Sequence, residues 1–425
     1  MTDRIIEHIA KSAREPGWLT DRRRAALARH AELPWPHPSD DVWRRTDATQ
    51  LDPARGFTPA DGLQQQVSLT DDQMAQWAQP LGGEQLFVRA NGGWLHEPQP
   101  SGLVVADLAE EADRCRELLE ADGMTSAESK LASLNDAYHQ GGVVLDIPGG
   151  AVLETPVRLV HLHGVQAGQA IYPLTVIRVG AGASVTLVDE YVSLEPAGGA
   201  EHLINGRIEI LLERDARVQY VRLQRWGSSA REFLLQRARL GAGASLTMAN
   251  LTLGARLSKT HIVNRFEAPG ASSTLYGFVF GRGRQHIDQH TLQDHVAPQT
   301  TSNLEYRAAL QDTSRLVYTG LIRIGESAQQ TNAFQANHNL LLSAGAHAES
   351  IPMLEILADD VQCKHGASVG PIDEEQAFYA MTRGISRQAA ERLIVMGFVE
   401  PIIQQVPVAA LQERLREEIE GSLHA

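Results

Sequence analysis

The stretches GAGASVTLV (180–188) and GAGASLTM (241–248) carry the same signature: a run of glycine and alanine, a serine, then alternating apolar and polar residues of β type. Related units are RDARVQYVRL (214–223), APGASSTLYGF (268–278), AGAHAESIPML (344–354) and HGASVG (365–370). The first four starts are roughly 27 to 34 residues apart and the last interval is about 21, spacings expected of a stacked solenoid. Glycine supplies a corner with positive φ where a Cβ would clash, and alanine and serine let successive corners stack closely. One coil cannot bury its own apolar face. Coils stacked at the strand spacing of about 4.8 Å bury one another and share a continuous core. RLVYTGLIRIG (315–325) alternates as this requires, with Leu316, Ile322 and Ile324 on one face and Arg315, Thr319 and Arg323 on the other. The amide-rich runs Gln329–Asn332 and Asn337–Asn339 suit ladders between coils. Residues 142–371 are therefore expected to form a parallel β-helix.

Outward from this core, residues 1–141 are mixed. Arg22–Glu32, Ala106–Glu120 and Ser126–Tyr138 show helical spacing. Pro34, Pro36 and Pro38 interrupt the stretch around Trp35 and Trp43, and Asn91-Gly92 marks a turn inside LFVRANGGWL. After Pro371, Asp373 with Gln376 reads as a capping box for a helix that ends at Arg383, with Gly384 as its stop. Ser386 caps a second helix to about Phe398, and a third runs from Val408 to about Ser422. Residues 372–425 are thus expected to be a small helical domain. An open β-helix leaves strand edges unpaired, so a remaining edge is a place for another subunit.

Composition excludes several classes. A net charge of −14 argues against a nucleic-acid binder or a polybasic membrane-surface protein. No apolar run spans a bilayer, the N-terminal stretch lacks the apolar centre of a signal peptide, and two cysteines cannot form a disulfide framework. A cytoplasmic protein is expected. There is no Walker A loop, no G-x-S-x-G elbow and no H-E-x-x-H.

Two histidine-bearing segments could carry chemistry. On QHIDQHTLQDH (285–295), His286, Asp288 and His290 share one strand face. They could form an imidazole–carboxylate metal patch, or an outer face of hydrogen-bonded polar residues. On DDVQCKHGASVG (359–370), Val361, Cys363 and His365 alternate to one side, and Gly366 is expected to turn the chain, which puts His365 near the rim. One cysteine and one histidine are half a metal site, so further ligands would come from a second chain. The residues alone favour Cys363 as a small apolar core residue. Cys115 reads as an incidental, partly buried thiol.

The C-terminal block from Asn337 to Ser386 resembles the signature of the SufB/SufD family of iron–sulfur cluster assembly proteins. The likeness extends through VWRRTDATQLDP (42–53), GGVVLDIPGGAVLETPVRL (141–159), GAGASVTLVDEY (180–191) and HTLQDHVAPQTTSNLEYRAAL (290–310). The Cys363-Lys364-His365-Gly366-Ala367 block is more similar to the SufD branch than to the SufB branch. The resemblance implies a right-handed β-helix between helical regions. It implies a scaffold rather than an enzyme, pairing with a SufB-like protein and binding a SufC-like ATPase. His365, with Cys363 beside it, would lie at a cluster-assembly interface, with His365 as a transient metal ligand shared with the SufB-like partner. The ATPase-docking helices would carry Asp373, Gln376, Phe378, Tyr379, Arg383 and Gly384. No cofactor would be stably bound by the chain alone. A transient iron–sulfur cluster at the interface and reduced flavin in the full complex are implied, and a homodimer of the isolated chain is allowed. The competing class is a carbohydrate-active, lyase-like enzyme, because parallel β-helices also house those. A self-contained metal enzyme using His286, Asp288 and His290 is a third.

Overall fold

The structure, a computed structural model, describes residues 2–60, 69–96, 98–120, 124–164, 166–194, 199 and 201–423. Its centre is a parallel β-solenoid of about seven turns. Each turn gives one strand to each of two sheets. One sheet runs from Val143–Ile147 through Leu174–Val179, His202–Leu212, Ala230–Leu240, Leu257–Phe266, His286–His295 and Arg315–Ile324 to His347–Ile356. The other runs from Val157–Gly164 through Ser184–Leu194, Arg217–Arg225, Ser245–Thr252, Ser272–Gly281, Thr301–Leu310 and Thr331–Leu341 to Val361–Pro371.

The corners explain the repeat. Gly182, Asp215, Gly243, Gly270, Gln299 and Gln330 all have positive φ, and each stands one or two residues before a strand of the second sheet. Each donates its amide to a carbonyl of the next coil's corner, so the ladder continues around the bend. The small residues that follow, Ala183, Ala216, Ala244, Ala271, Thr300 and Thr331, form a fully buried column. The corners at Gln299 and Gln330 lack glycine, and the sequence pattern passes over them. Two quoted units sit elsewhere than their spacing suggests. AGAHAESIPML enters the first sheet, and HGASVG is no corner, because Gly366 lies inside the strand Val361–Pro371 with open space where a Cβ would stand.

Leu316, Ile322 and Ile324 face the core and are fully buried, while Arg315 and Arg323 face out. The solenoid's first coil is closed by antiparallel pairing of Val104–Asp107 with Val143–Ile147 and by Gln85–Ala90 against Val157–Gly164. Ala106 therefore belongs to a strand and the helix expected from it begins only at Ala112, because covering a sheet edge outweighs local helical spacing. Asn91 (φ 49°) and Gly92 (φ 83°) make the expected turn to Gly93–Trp94.

Helices clothe the outside. Gly17–Glu32 and Ser126–Tyr138 pack with Trp43 over Phe233, Leu235 and Leu257 of the first sheet. Arg387–Ile403 and Ala409–Ser422 lay Val399, Ile402, Leu411, Leu415 and Ile419 on Val221, Leu251 and Phe278 of the second. The helix expected to stop at Phe398 continues through Pro401 to Ile403, since burial of Ile402 and Ile403 outweighs the missing proline amide. No helix among the described residues is long and apolar enough to cross a membrane.

Candidate functional site: the open end of the solenoid

The two ends of the solenoid differ. The first coil is covered, but His347–Ile356 and Val361–Pro371 are each the last strand of a sheet and, among the described residues, pair on one side only. Their outer edges present unpaired backbone groups. Parallel register decides which side chains face the opening. Cys363, His365, Ala367 and Val369 stand beside Ala333, Gln335, Asn337 and Asn339, all buried in the preceding coil. Leu354 and Ile356 stand beside the fully buried Ile322 and Ile324. These are core positions without a coil above them. Leu354, Ile356 and Val369 are accordingly exposed at 38%, 39% and 45%.

Cys363, expected as a small apolar core residue, is half-buried and packs with Val361 against Ile322, Ile324, Ala328 and Ala333, so it sits at the margin of the core. Burial pushes its thiol above the usual range, so the neutral form is favoured at neutral pH. His365 is exposed, and among the described residues its side chain has no hydrogen-bond or ion-pair partner. It stands in mid-strand rather than before a corner. Its exposure comes from being in the last coil.

Two residues past Val361–Pro371 the chain enters the helix Glu374–Thr382. Asp373 caps it by accepting the amides of Glu375 (2.9 Å) and Gln376 (3.3 Å), and Gly384 (φ 87°) ends it as expected. Phe378 and Tyr379 are 67% and 62% exposed, and Met381 on the same helix and Leu393 on the next are also exposed. Arg383 lies over the Tyr379 ring at 5.2 Å. Arg387 bonds Glu374 (2.7 Å) and ties the two helices together. The opening and this apolar hairpin are thus adjacent along the chain.

His286, Asp288 and His290 do share an outward face, but that face is a docking surface. Thr46 donates to Asp288 and lies 3.0 Å from His286 Nε2. Lys259 pairs with Asp288 at 2.8 Å and donates to the Val42 carbonyl, and Trp43 packs on Phe233 and His261. Arg45 reaches Glu349 of the last coil. The segment 42–47 therefore binds the solenoid through His286 and Asp288, two of the three residues that the spacing offered as ligands, while His290 packs edge-on against His261. Among the described residues no group of three or more metal-binding side chains is placed to hold a metal. Cys115 is buried, its thiol pushed up to about 12 by burial and by Asp146 and Glu111.

Sequence reasoning missed Leu354 and Ile356. The signal lay in the order of elements: the last β runs before a capped helix form the terminal coil, and terminal core positions face outward.

The fold and its open end define a parallel β-helix protein flanked by helices. Residues 162–398 match the family model for the SUF system FeS cluster assembly, SufBD core domain. The whole chain is 24% identical over 443 residues to an iron–sulfur cluster assembly SufBD family protein of Staphylococcus haemolyticus, covering 94% of that relative. Relatives of the same description in Staphylococcus epidermidis and Staphylococcus aureus match equally, at 24% identity over 100% of this chain and 94% of theirs. The chain belongs to the SufBD family of iron–sulfur cluster assembly proteins.

Proposed function

We propose that this chain is the SufD-like, non-catalytic scaffold subunit of a cytoplasmic SUF assembly complex. In this role it pairs through the open end of its solenoid with a SufB-like protein. The observation that carries this reading is the last coil, where Cys363, His365, Val369, Leu354 and Ile356 occupy core register yet lie open. A second solenoid meeting this end covers the apolar stripe and gives both unpaired edges a neighbour.

The iron–sulfur cluster is cargo at that junction. His365 is the better ligand from this side, because its imidazole stands exposed at the opening with no partner among the described residues. Cys363 has a thiol raised by burial and serves chiefly in packing against the partner. Residues 372–398, with Phe378 and Tyr379 exposed, dock a SufC-like ATPase and pass its nucleotide-driven movement to the adjoining last strand. No residue of this chain is assigned to the reduced flavin associated with such complexes.

The test is His365→Ala in a complex reconstituted with SufB- and SufC-like partners. Cluster formation is expected to fall on the order of tenfold with the complex intact. Unchanged cluster formation removes the ligand role from His365 while leaving the pairing in place.

A further inference from the structure

Two clefts on the flanks of the solenoid differ in charge balance. The first, about 470 Å³, is lined by Arg237, Arg239, Arg265 and Arg323 together with Glu117, Glu120, Glu267 and Asp294. Its arginines are paired: Arg239 with Glu267 at 2.9 Å, and Arg265 and Arg323 with Asp294 at 2.7 and 2.9 Å.

The second runs along one line of corners, where the second sheet hands over to the first. It consists of adjoining hollows of about 660 and 570 Å³ that share Trp226 and Arg282. Among the described residues five arginines line it, Arg225, Arg256, Arg282, Arg284 and Arg414, against the carboxylates Glu417 and Glu418. In a chain of net charge −14, such a collection is against the trend of the surface.

The fold fixes these arginines in place. A Cβ at Gly254 would collide with the backbone of Trp226, so glycine there sets the close stacking of two successive corners. Helix Ala409–Ser422 brings Arg414, and the short helix Asp71–Trp77 brings Trp77. Arg225 and Arg414 both lie over the Trp77 ring, at 5.3 and 4.3 Å. Arg225 spends Nε on Glu418 and Nη1 on Glu190. Its Nη2 and that of Arg414 are buried without a partner among the described residues. The side chain of Arg284 has none among them either, and Arg256 is only 3.7 Å-paired to Glu201. Burial, and next the nearness of Arg225, push the Arg414 guanidinium down to about 10, against the opposing pull of Glu190 and Glu418.

From this arrangement we infer that the corner cleft is a binding site for a small oligophosphate anion. Guanidinium forks engage phosphate oxygens in pairs, and the hollows are of the size that takes a small molecule. The bound anion supplies the missing negative charge between helix Ala409–Ser422 and the coils at Trp226, Gly254 and Arg282. The site lies on the solenoid's flank and does not depend on the role of His365.

Titration calorimetry of the full chain with inorganic pyrophosphate tests this. Saturable one-site binding is expected, weakening steeply with added salt. Arg282→Ala/Arg284→Ala, both exposed, is expected to weaken it on the order of tenfold with an unchanged melting temperature. Arg239→Ala/Arg323→Ala in the balanced cleft is expected to leave it unaltered. Absence of saturable heat with the folded chain overturns the inference, as does equal loss in both double variants. A hexaglutamate peptide that binds more tightly than pyrophosphate through the same arginines overturns it in favour of an acidic segment of a partner protein.

Discussion

Gln335 and His365 are neighbours in the parallel register of the second sheet, yet Gln335 is fully buried and His365 is exposed. Both continue one inward column, Met248–Leu275–Leu304–Gln335–His365, whose first four members are fully buried. Gln335 lies inside the stack and donates to the Gly320 carbonyl at 3.2 Å. His365 differs only in having no coil above it, and the same holds for Leu354 and Ile356 in the opposite sheet.

Because these terminal side chains contribute little to the isolated fold, Leu354→Asp with Val369→Asp is expected to change its stability by no more than about 1 kcal/mol. The same pair of substitutions is expected to abolish association with a SufB-like protein, since it places two charges in a dry contact. Urea unfolding and co-purification read the two effects separately.

Inside the stack the demand is the reverse. A Cβ at Gly277 would collide with the ring of Tyr306, which is fully buried and donates to Gln289 at 3.0 Å. Gly277→Ala is expected to cost about 1–3 kcal/mol in urea unfolding, with no comparable loss for Gly366→Ala, where the space is open.

Acid should weaken the fold. Burial, aided by His161, His202 and Arg89, lowers His163 to about 3, and burial outweighs Asp294 to lower His295 to about 4. An unfolded histidine titrates near 6.5, so below that pH the unfolded chain takes up protons that these buried rings refuse. The stability they contribute is fully present above about pH 6.5 and is lost as pH falls toward 4. Each contributes about 1.4 kcal/mol per pH unit in that window, so unfolding at pH 5.5 is expected to require about 2–3 kcal/mol less than at pH 7.5.

The two thiols should react unequally. Cys115 is buried with its pKa at about 12, while Cys363 is half-buried at the opening. Iodoacetamide at pH 8 is expected to label Cys363 slowly and Cys115 only on unfolding, as read by intact-mass and peptide analysis. Pairing with a SufB-like protein is expected to protect Cys363.

Much of this was legible in the residues. Glycine–alanine corners at Gly182 and Gly243 announced the solenoid, because a backbone of positive φ leaves a compositional trace. Corners at Gln299 and Gln330 left none, since their left-handed backbone is imposed by neighbouring coils rather than by residue type. Gly366 looked like a corner and is a strand residue, because pairing with Thr331–Leu341 decides its conformation. The polar face at His286, Asp288 and His290 was visible, but its occupant, Thr46, lies some 240 residues away in sequence. His365 stood out through its motif, whereas the exposure of Leu354 and Ile356 was hidden because an apolar residue reads alike in the last coil and in the middle of the stack.

The central claim is that the open end receives a SufB-like chain. Co-expression with the host's SufB- and SufC-like proteins, followed by light scattering on the purified material, tests it most directly. The account predicts one particle holding a single copy of this chain, one SufB-like chain and two SufC-like chains, lost on Leu354→Asp/Val369→Asp. A chain that elutes alone, with affinity for neither partner, would contradict it.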